Sequence, residues 1–170
     1  MATSLTTPVS ETQIRTLKVG DAVEITGTLF TGRDAVHKYL AKGGTLPPEV
    51  NLRDGIIYHC GPVVIKDDAG KWKVVAAGPT TSAREEPYQG DIMRKFGVRG
   101  VIGKGGMGEK TLAACQEVGG VYLHAIGGAA QVAEQSVMES AHDGSIRFAN
   151  RNTVKNAAGE LIVMSRGMQA

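Results

Sequence analysis

Gly78 to Gly108 reads GPTTSAREEPYQGDIMRKFGVRGVIGKGGMG, and the order of its parts sets the fold class. A polar Gly-Pro-Thr-Thr-Ser turn leads into a segment in which Ile92, Met93 and Phe96 recur at helical spacing. Val98–Ile102 is then a short apolar run of strand type. Glycines from Gly103 to Gly108 break it ahead of a second helix over Lys110–Val118. Val121–Ile126 is a further strand and Gly128–Met138 a further helical candidate. Strand, glycine turn, helix and strand in succession is the pattern of an α/β domain.

Upstream the chain is richer in strands. Ala22–Leu29 alternates apolar and polar residues as a half-buried strand does, and Gly32 ends that pattern. Arg33–Leu40 reads as a short helix whose buried face would carry Val36, Tyr39 and Leu40. Pro47-Pro48 and Asn51–Gly55 mark an irregular connection. Three β-like runs follow, Ile56–Cys60, Val63–Lys66 and Lys71–Ala77, the last two joined by an Asp67–Gly70 hairpin turn. Glu160–Met164 is a final strand in an otherwise patchy C-terminal region. The expected architecture is α/β, a layered β/β/α domain over residues 1–170, with residues 1–12 as a flexible polar arm.

Bulk properties narrow the function classes. At 170 residues the chain fits one domain able to bury most of its apolar surface. A net charge of +2 and 5% aromatic residues argue against nucleic acid as a partner. No apolar stretch approaches the ~18 residues of a membrane span. The N-terminus lacks a basic and apolar leader, so no membrane and a cytoplasmic location are expected. Cys60 and Cys115 sit in strand-like and helix-like apolar surroundings and read as small hydrophobes, so no metal ligand is assigned to this chain.

The chemistry concentrates in the quoted stretch. Thr80, Thr81 and Ser82 offer hydroxyls, Arg84 and Lys104 offer cations, and Gly105 sits where backbone N–H groups can approach an anion. Gly103–Gly108 contains G-x-G-x-x-G between a strand and a helix. The acidic residue that a dinucleotide site needs after the next strand is missing, because His124 and Ala125 stand there. A phosphate loop of Walker type fails as well, since Gly105 follows Lys104. What survives is a helix N-terminus open to an anion, with Lys104 beside it. Arg33 opens its own helix, where a cation is unfavourable unless an anion lies near. Asp34 and His37 share one face of that helix, where Asp34 would orient His37 or cap the helix. His59, His124 and His142 show no metal-ligand spacing and read as structural, and the acidic Glu85-Glu86 adds negative charge beside the supposed anion site.

GTLFTGRDAVHKYL, GPTTSAR and GVRGVIGKGGMG, in this order, resemble the β subunit of the class I iron–sulfur hydro-lyases, the fumarate hydratase and L-tartrate dehydratase family, over roughly residues 7–138. The resemblance implies a swivelling β/β/α domain closing over a [4Fe–4S] cluster. That cluster would be held by cysteines of a separate, cysteine-rich α subunit, in an α2β2 assembly, or of an N-terminal domain in fused versions. There the open iron acts as a Lewis acid on a small dicarboxylate. Carried over by motif, Arg33, Arg84 and Lys104 would clamp the carboxylates, and Thr80 would transfer a proton, with Thr81 and Ser82 as weaker candidates and His37 as an orienting group. The family also implies a longer C-terminal part than residues 142–170. The activity expected is reversible hydration of fumarate to L-malate, with L-tartrate dehydration as the alternative. A non-catalytic anion-binding module and a nucleotide-dependent oxidoreductase remain as readings from other classes.

Overall fold

The structure, a computed structural model, describes residues 2–70 and 72–125 and the short strands at 138–140, 145–148 and 163–165. Thr3–Thr6 (β1) pairs in parallel with Val23–Thr26 (β2), and Glu11–Arg15 (α1) lies between them in sequence. Gly27, at φ +117°, ends β2, and Thr28–Thr31 (β3) starts a second sheet. The single strand expected over Ala22–Leu29 is therefore two, since only glycine adopts this φ freely and a Cβ here would strike the Thr7 hydroxyl.

Asp34–Ala41 (α2) follows, then Ile56–Tyr58 (β4), Val63–Lys66 (β5) and Trp72–Ala76 (β6). Glu86–Phe96 (α3), Gly100–Gly103 (β7), Glu109–Val118 (α4) and Val121–Ala125 (β8) complete the α/β portion. Met138–Ser140 (β9), Ser145–Phe148 (β10) and Val163–Ser165 (β11) add strands to the same nine-stranded sheet, ordered β11-β8-β7-β4-β3-β10-β9-β6-β5. Its central strands β3, β4, β7 and β8 are parallel, and the flanking pairs are antiparallel. The helical candidate over Gly128–Met138 lies almost wholly outside the described residues, as does most of the stretch from residue 142.

The strand alternation sorts the core into two clusters. Ile57, Val101 and Tyr122 pack with Leu40 of α2, Ile92 and Met93 of α3 and Ala114 of α4. Ile56, Tyr58, Ile102 and Leu123 pack with Leu5 and Ile25 of the small sheet and Ile14 of α1. Small sheet, large sheet and helices form the β/β/α layering read from the sequence, which is an α/β fold. One expectation fails at the N-terminus. Of the supposed flexible arm over residues 1–12, the described residues 2–12 are part of the fold, because Leu5 and Val9 are fully buried and Glu11 reaches Arg99 at 3.2 Å.

Candidate active site

Parallel strands present their C-terminal ends on one edge, where α/β sheets commonly hold ligands. Three segments meet there. β3 runs into Gly32-Arg33, β4 into His59–Gly61, and β7 into Lys104–Gly106. The Gly78–Arg84 turn crosses between the last two. Thr80 N–H donates to the His59 carbonyl at 2.7 Å, Lys104 N–H to the Thr80 carbonyl at 3.2 Å, and Ser82 N–H to the Lys104 carbonyl at 2.9 Å. Thr80, Thr81 and Lys104 are thus neighbours across a backbone bridge. Gly105 and Gly106, at φ +83° and +87°, turn the chain away from β7 in a conformation that residues with a Cβ rarely adopt.

The cations are available. Arg33 and Arg84 are exposed, Lys104 is half-buried, and none makes an ion pair among the described residues. The Arg33 side chain lies across Gly61, where a Cβ would come within 3.0 Å of its Cδ. Arg33 and Arg84 both act electrostatically on Asp34, so the three residues share one neighbourhood. The hydroxyls differ among themselves. Thr80 is half-buried and donates its hydroxyl proton to the His59 carbonyl at 2.9 Å. An oxygen that has placed its only hydrogen offers just lone pairs to anything else. Thr81 is exposed.

Three expectations are corrected. Ser82 is fully buried, held by His59 Nδ1 at 2.9 Å and by the Tyr122 hydroxyl at 3.1 Å, so it does not face a ligand. His37 is buried as well, at 1% exposure, while Val36 and Tyr39 are 46% and 55% exposed. The buried face of α2 is His37 and Leu40, because both imidazole nitrogens find partners inside: the Arg33 carbonyl at 3.0 Å and the Gln89 amide at 2.8 Å. His37 is therefore turned into the interior, and its side-chain partner is Gln89 rather than Asp34. Third, the helix N-terminus read as open to an anion is filled. Glu86 accepts from Gly108 N–H at 2.7 Å, Lys110 N–H at 3.0 Å, Thr111 N–H at 3.3 Å and the Thr111 hydroxyl at 2.7 Å. The first turn of α4 already holds a carboxylate of its own chain, which leaves no cradle for a pyrophosphate. The nucleotide reading loses its site.

Glu85 is accounted for too. Its side chain is fully buried, neither oxygen has a hydrogen-bond donor among the described residues, and the Asp34 carboxylate acts on it. Two carboxylates in contact share a proton. Burial first, and Asp34 second, push Glu85 up to about 7, while accepting from Glu85 lowers Asp34. Glu85 thus stands near the cations as a carboxyl only about half ionised at pH 7, and Glu86 as a helix cap. The acidic pair no longer argues for a degenerate module.

Sequence reasoning missed a buried hub. Gln89 meets His37 at 2.8 Å and His59 at 2.9 Å, and the His59–Ser82–Tyr122 chain ends at Gly106 N–H, 3.2 Å from the Tyr122 oxygen. The signal was present. Gln89 falls on the same helical stripe as Ile92, Met93 and Phe96, a polar residue among core positions. Desolvation lowers both imidazoles, His59 to about 4 with His37 adding to the effect, so both rings are neutral at pH 7.

A cavity of about 450 Å³ opens against α2, lined by Phe30, Gly32, Val36, His37, Tyr39 and Ile57 among others. No cation lines it, so it does not suit a dicarboxylate. Among the described residues no three His, Cys, Asp or Glu side chains come together as metal ligands. Cys60 and Cys115 belong to the two opposite core clusters. An iron–sulfur cluster therefore does not fit the donors that the described residues present. Among the described residues no helix is long and apolar enough to cross a membrane.

Residues 1–146 match the profile of the family described as Fumarase C-terminus. A relative from Geobacillus stearothermophilus, "Putative fumarate hydratase class I", is 65% identical over 128 residues, 75% of this chain and 24% of that protein. "L(+)-tartrate dehydratase subunit beta" of Escherichia coli is 38% identical over 135 residues, 79% of this chain and 66% of that protein. "Putative L(+)-tartrate dehydratase subunit beta" of Methanocaldococcus jannaschii is 35% identical over 133 residues, 76% of this chain and 67% of that protein. The chain thus corresponds to about a quarter of the first relative and about two thirds of the other two.

Proposed function

The chain belongs to the fumarase C-terminus family, and from that premise we propose that it is the β component of an iron–sulfur hydro-lyase that interconverts fumarate and L-malate. Higher identity to the fumarate hydratase relative than to the tartrate dehydratase subunits favours fumarate over L-tartrate. The observation that supports the reading is the backbone pairing of Thr80–Ser82 with Lys104, which brings the segments bearing two threonines and a lysine together at the end of β7. Arg33 and Arg84 stand on the adjoining segments without ion-pair partners among the described residues.

In this proposal Arg33, Arg84 and Lys104 hold the two substrate carboxylates, and Gly105 lets the backbone approach them. Loss of a proton from C3 of L-malate spreads negative charge onto the neighbouring carboxylate. Fixed cations there are stabilising without reorganisation. Thr80 is the proton-transfer group, with Thr81 second. A threonine hydroxyl is a weak base and the Thr80 hydrogen lies on the His59 carbonyl, so the same cations must favour the deprotonated form over that hydrogen bond. His37 acts at one remove, through the backbone of Arg33. The [4Fe–4S] cluster belongs in this proposal to a cysteine-rich α subunit, joined to this chain as α2β2, and no step of this chain runs through its own cysteines.

The test is co-expression with a cluster-bearing partner and anaerobic assay on fumarate, L-malate and L-tartrate. Turnover of fumarate above L-tartrate is expected. An assembly with an intact cluster and no activity on any four-carbon dicarboxylate overturns the reading.

A further inference from the structure

The buried hub contains a contradiction that one rotation removes. His37 faces two groups: the Arg33 carbonyl, which only accepts, and the Gln89 amide oxygen, which also only accepts. Satisfying both would require an imidazolium. Burial opposes that charge, and no carboxylate among the described residues hydrogen-bonds the ring. His59 meets the same amide atom at 2.9 Å, while the nitrogen end of the amide has no partner among the described residues. Turning the amide by half a revolution places its two hydrogens between the two imidazoles. Each ring then accepts at Nε2 and donates from Nδ1, His37 to the Arg33 carbonyl and His59 to Ser82 Oγ. The oxygen and nitrogen of a side-chain amide are assigned by such networks; this assignment satisfies both neutral rings and moves the orphaned end of the amide from nitrogen to oxygen.

We infer that Gln89 is a positioning residue: its amide nitrogen donates to His37 and His59 together, fixes both as Nδ1–H tautomers, and so locks the segments carrying Arg33, Thr80–Ser82 and Gly106 to one another. The geometry reaches three segments of the candidate site. His37 Nδ1 holds the carbonyl that starts α2. His59 holds Ser82 through its ring and Thr80 through its carbonyl. Ser82 receives the Tyr122 hydroxyl, and the Tyr122 oxygen receives Gly106 N–H. Gln89, His59 and Ser82 are all fully buried, so water cannot substitute for a missing partner. The consequence for catalysis rests on the proposed function, whereas the tautomer assignment does not.

Two measurements on the full chain test it. In the ¹⁵N-labelled protein at pH 7, long-range ¹⁵N–¹H correlation of the imidazoles should show protonated Nδ1 and bare Nε2 for both His37 and His59. An Nε2–H or doubly protonated ring at either position overturns the assignment, whatever the enzyme does. Gln89→Glu keeps the shape and offers only acceptors. It should move the His37 ring to Nε2–H or imidazolium and shift the Gly106 amide resonance, while Val64 at the far sheet edge stays put. In the assembled enzyme it should lower kcat on the order of tenfold or more with KM changed far less. Unchanged ring tautomers, or an unchanged kcat in a folded Gln89→Glu enzyme, defeat the positioning role. Correct tautomers in an assembly that hydrates no dicarboxylate would defeat the proposed function alone.

Discussion

Removing the carboxylate of Glu86 should cost stability, not merely tidy an anion site. Its two oxygens take four hydrogens from the first turn of α4, at 2.7, 3.0, 3.3 and 2.7 Å. Hydrogen bonds to a charged group contribute ~1.5–3 kcal/mol each when isolated. These four share one carboxylate, and the turn is only partly buried, so they do not add. A lost N-cap alone costs ~0.5–2 kcal/mol, and the charge at the positive end of the helix adds ~0.3–1 kcal/mol. Glu86→Ala should therefore lose about 3 kcal/mol and Glu86→Gln, which keeps one acceptor, about half of that. With a urea m-value of about 2 kcal/mol/M, the alanine variant's midpoint should fall by ~1.5 M. The bare helix N-terminus should also bind a free anion. Inorganic phosphate should raise the midpoint of Glu86→Ala and leave the wild type unmoved. If both variants unfold within ~0.5 kcal/mol of the wild type, the capping argument is wrong.

The other expectations concern the neighbouring groups. Glu85 keeps its proton to about 7 in the folded chain against an ordinary 4.5, so between those values its contribution to stability falls as pH rises. His59 has the opposite sign: it stays neutral down to about 4 while the unfolded chain protonates near 6.5, so its contribution grows with pH across that window. The two slopes oppose each other in the wild type. Glu85→Gln should leave a rising stability from pH 4 to 6.5, read from urea midpoints, and an unchanged flat profile would contradict the shared proton. Gly103→Ala puts a methyl on Ser82 Oγ and 3.1 Å from His59 Nδ1, and overpacking should cost ~1–3 kcal/mol in unfolding experiments. Thr80→Val keeps the shape and removes the hydroxyl, so in the assembled enzyme kcat should fall far more than KM rises. A near-normal kcat would move the proton-transfer role to Thr81.

Elements with a clean period were legible in the sequence. Ile92, Met93 and Phe96 announced α3, and the Val63–Ala77 hairpin and the strands on either side of α4 stand where alternation and glycines put them. Faces were harder. Val36 and Tyr39 are more apolar than His37, yet His37 is inside, because a partner 52 residues away on α3 satisfies it. No local pattern encodes that. The same holds for Glu86, whose role depends on α3 lying against the start of α4, and for Leu5 and Val9, whose burial needs a strand from residues 23–26. The candidate site divided in the same way. Thr80, Thr81, Arg33, Arg84 and Lys104 were reachable by motif, whereas Ser82 and His37 turned inward and Gln89 went unnoticed despite interrupting an apolar stripe.

The central claim is that this chain supplies the cationic side of a dicarboxylate site. Its most direct test is kcat/KM on fumarate for Lys104→Met in the anaerobic assembly with its cluster-bearing partner. Loss of a buried charged contact to the substrate of about 3 kcal/mol or more corresponds to roughly a hundredfold or greater drop, with the variant still folded and still bound to its partner. That drop is the result expected, and a kcat/KM close to the wild type would contradict the account.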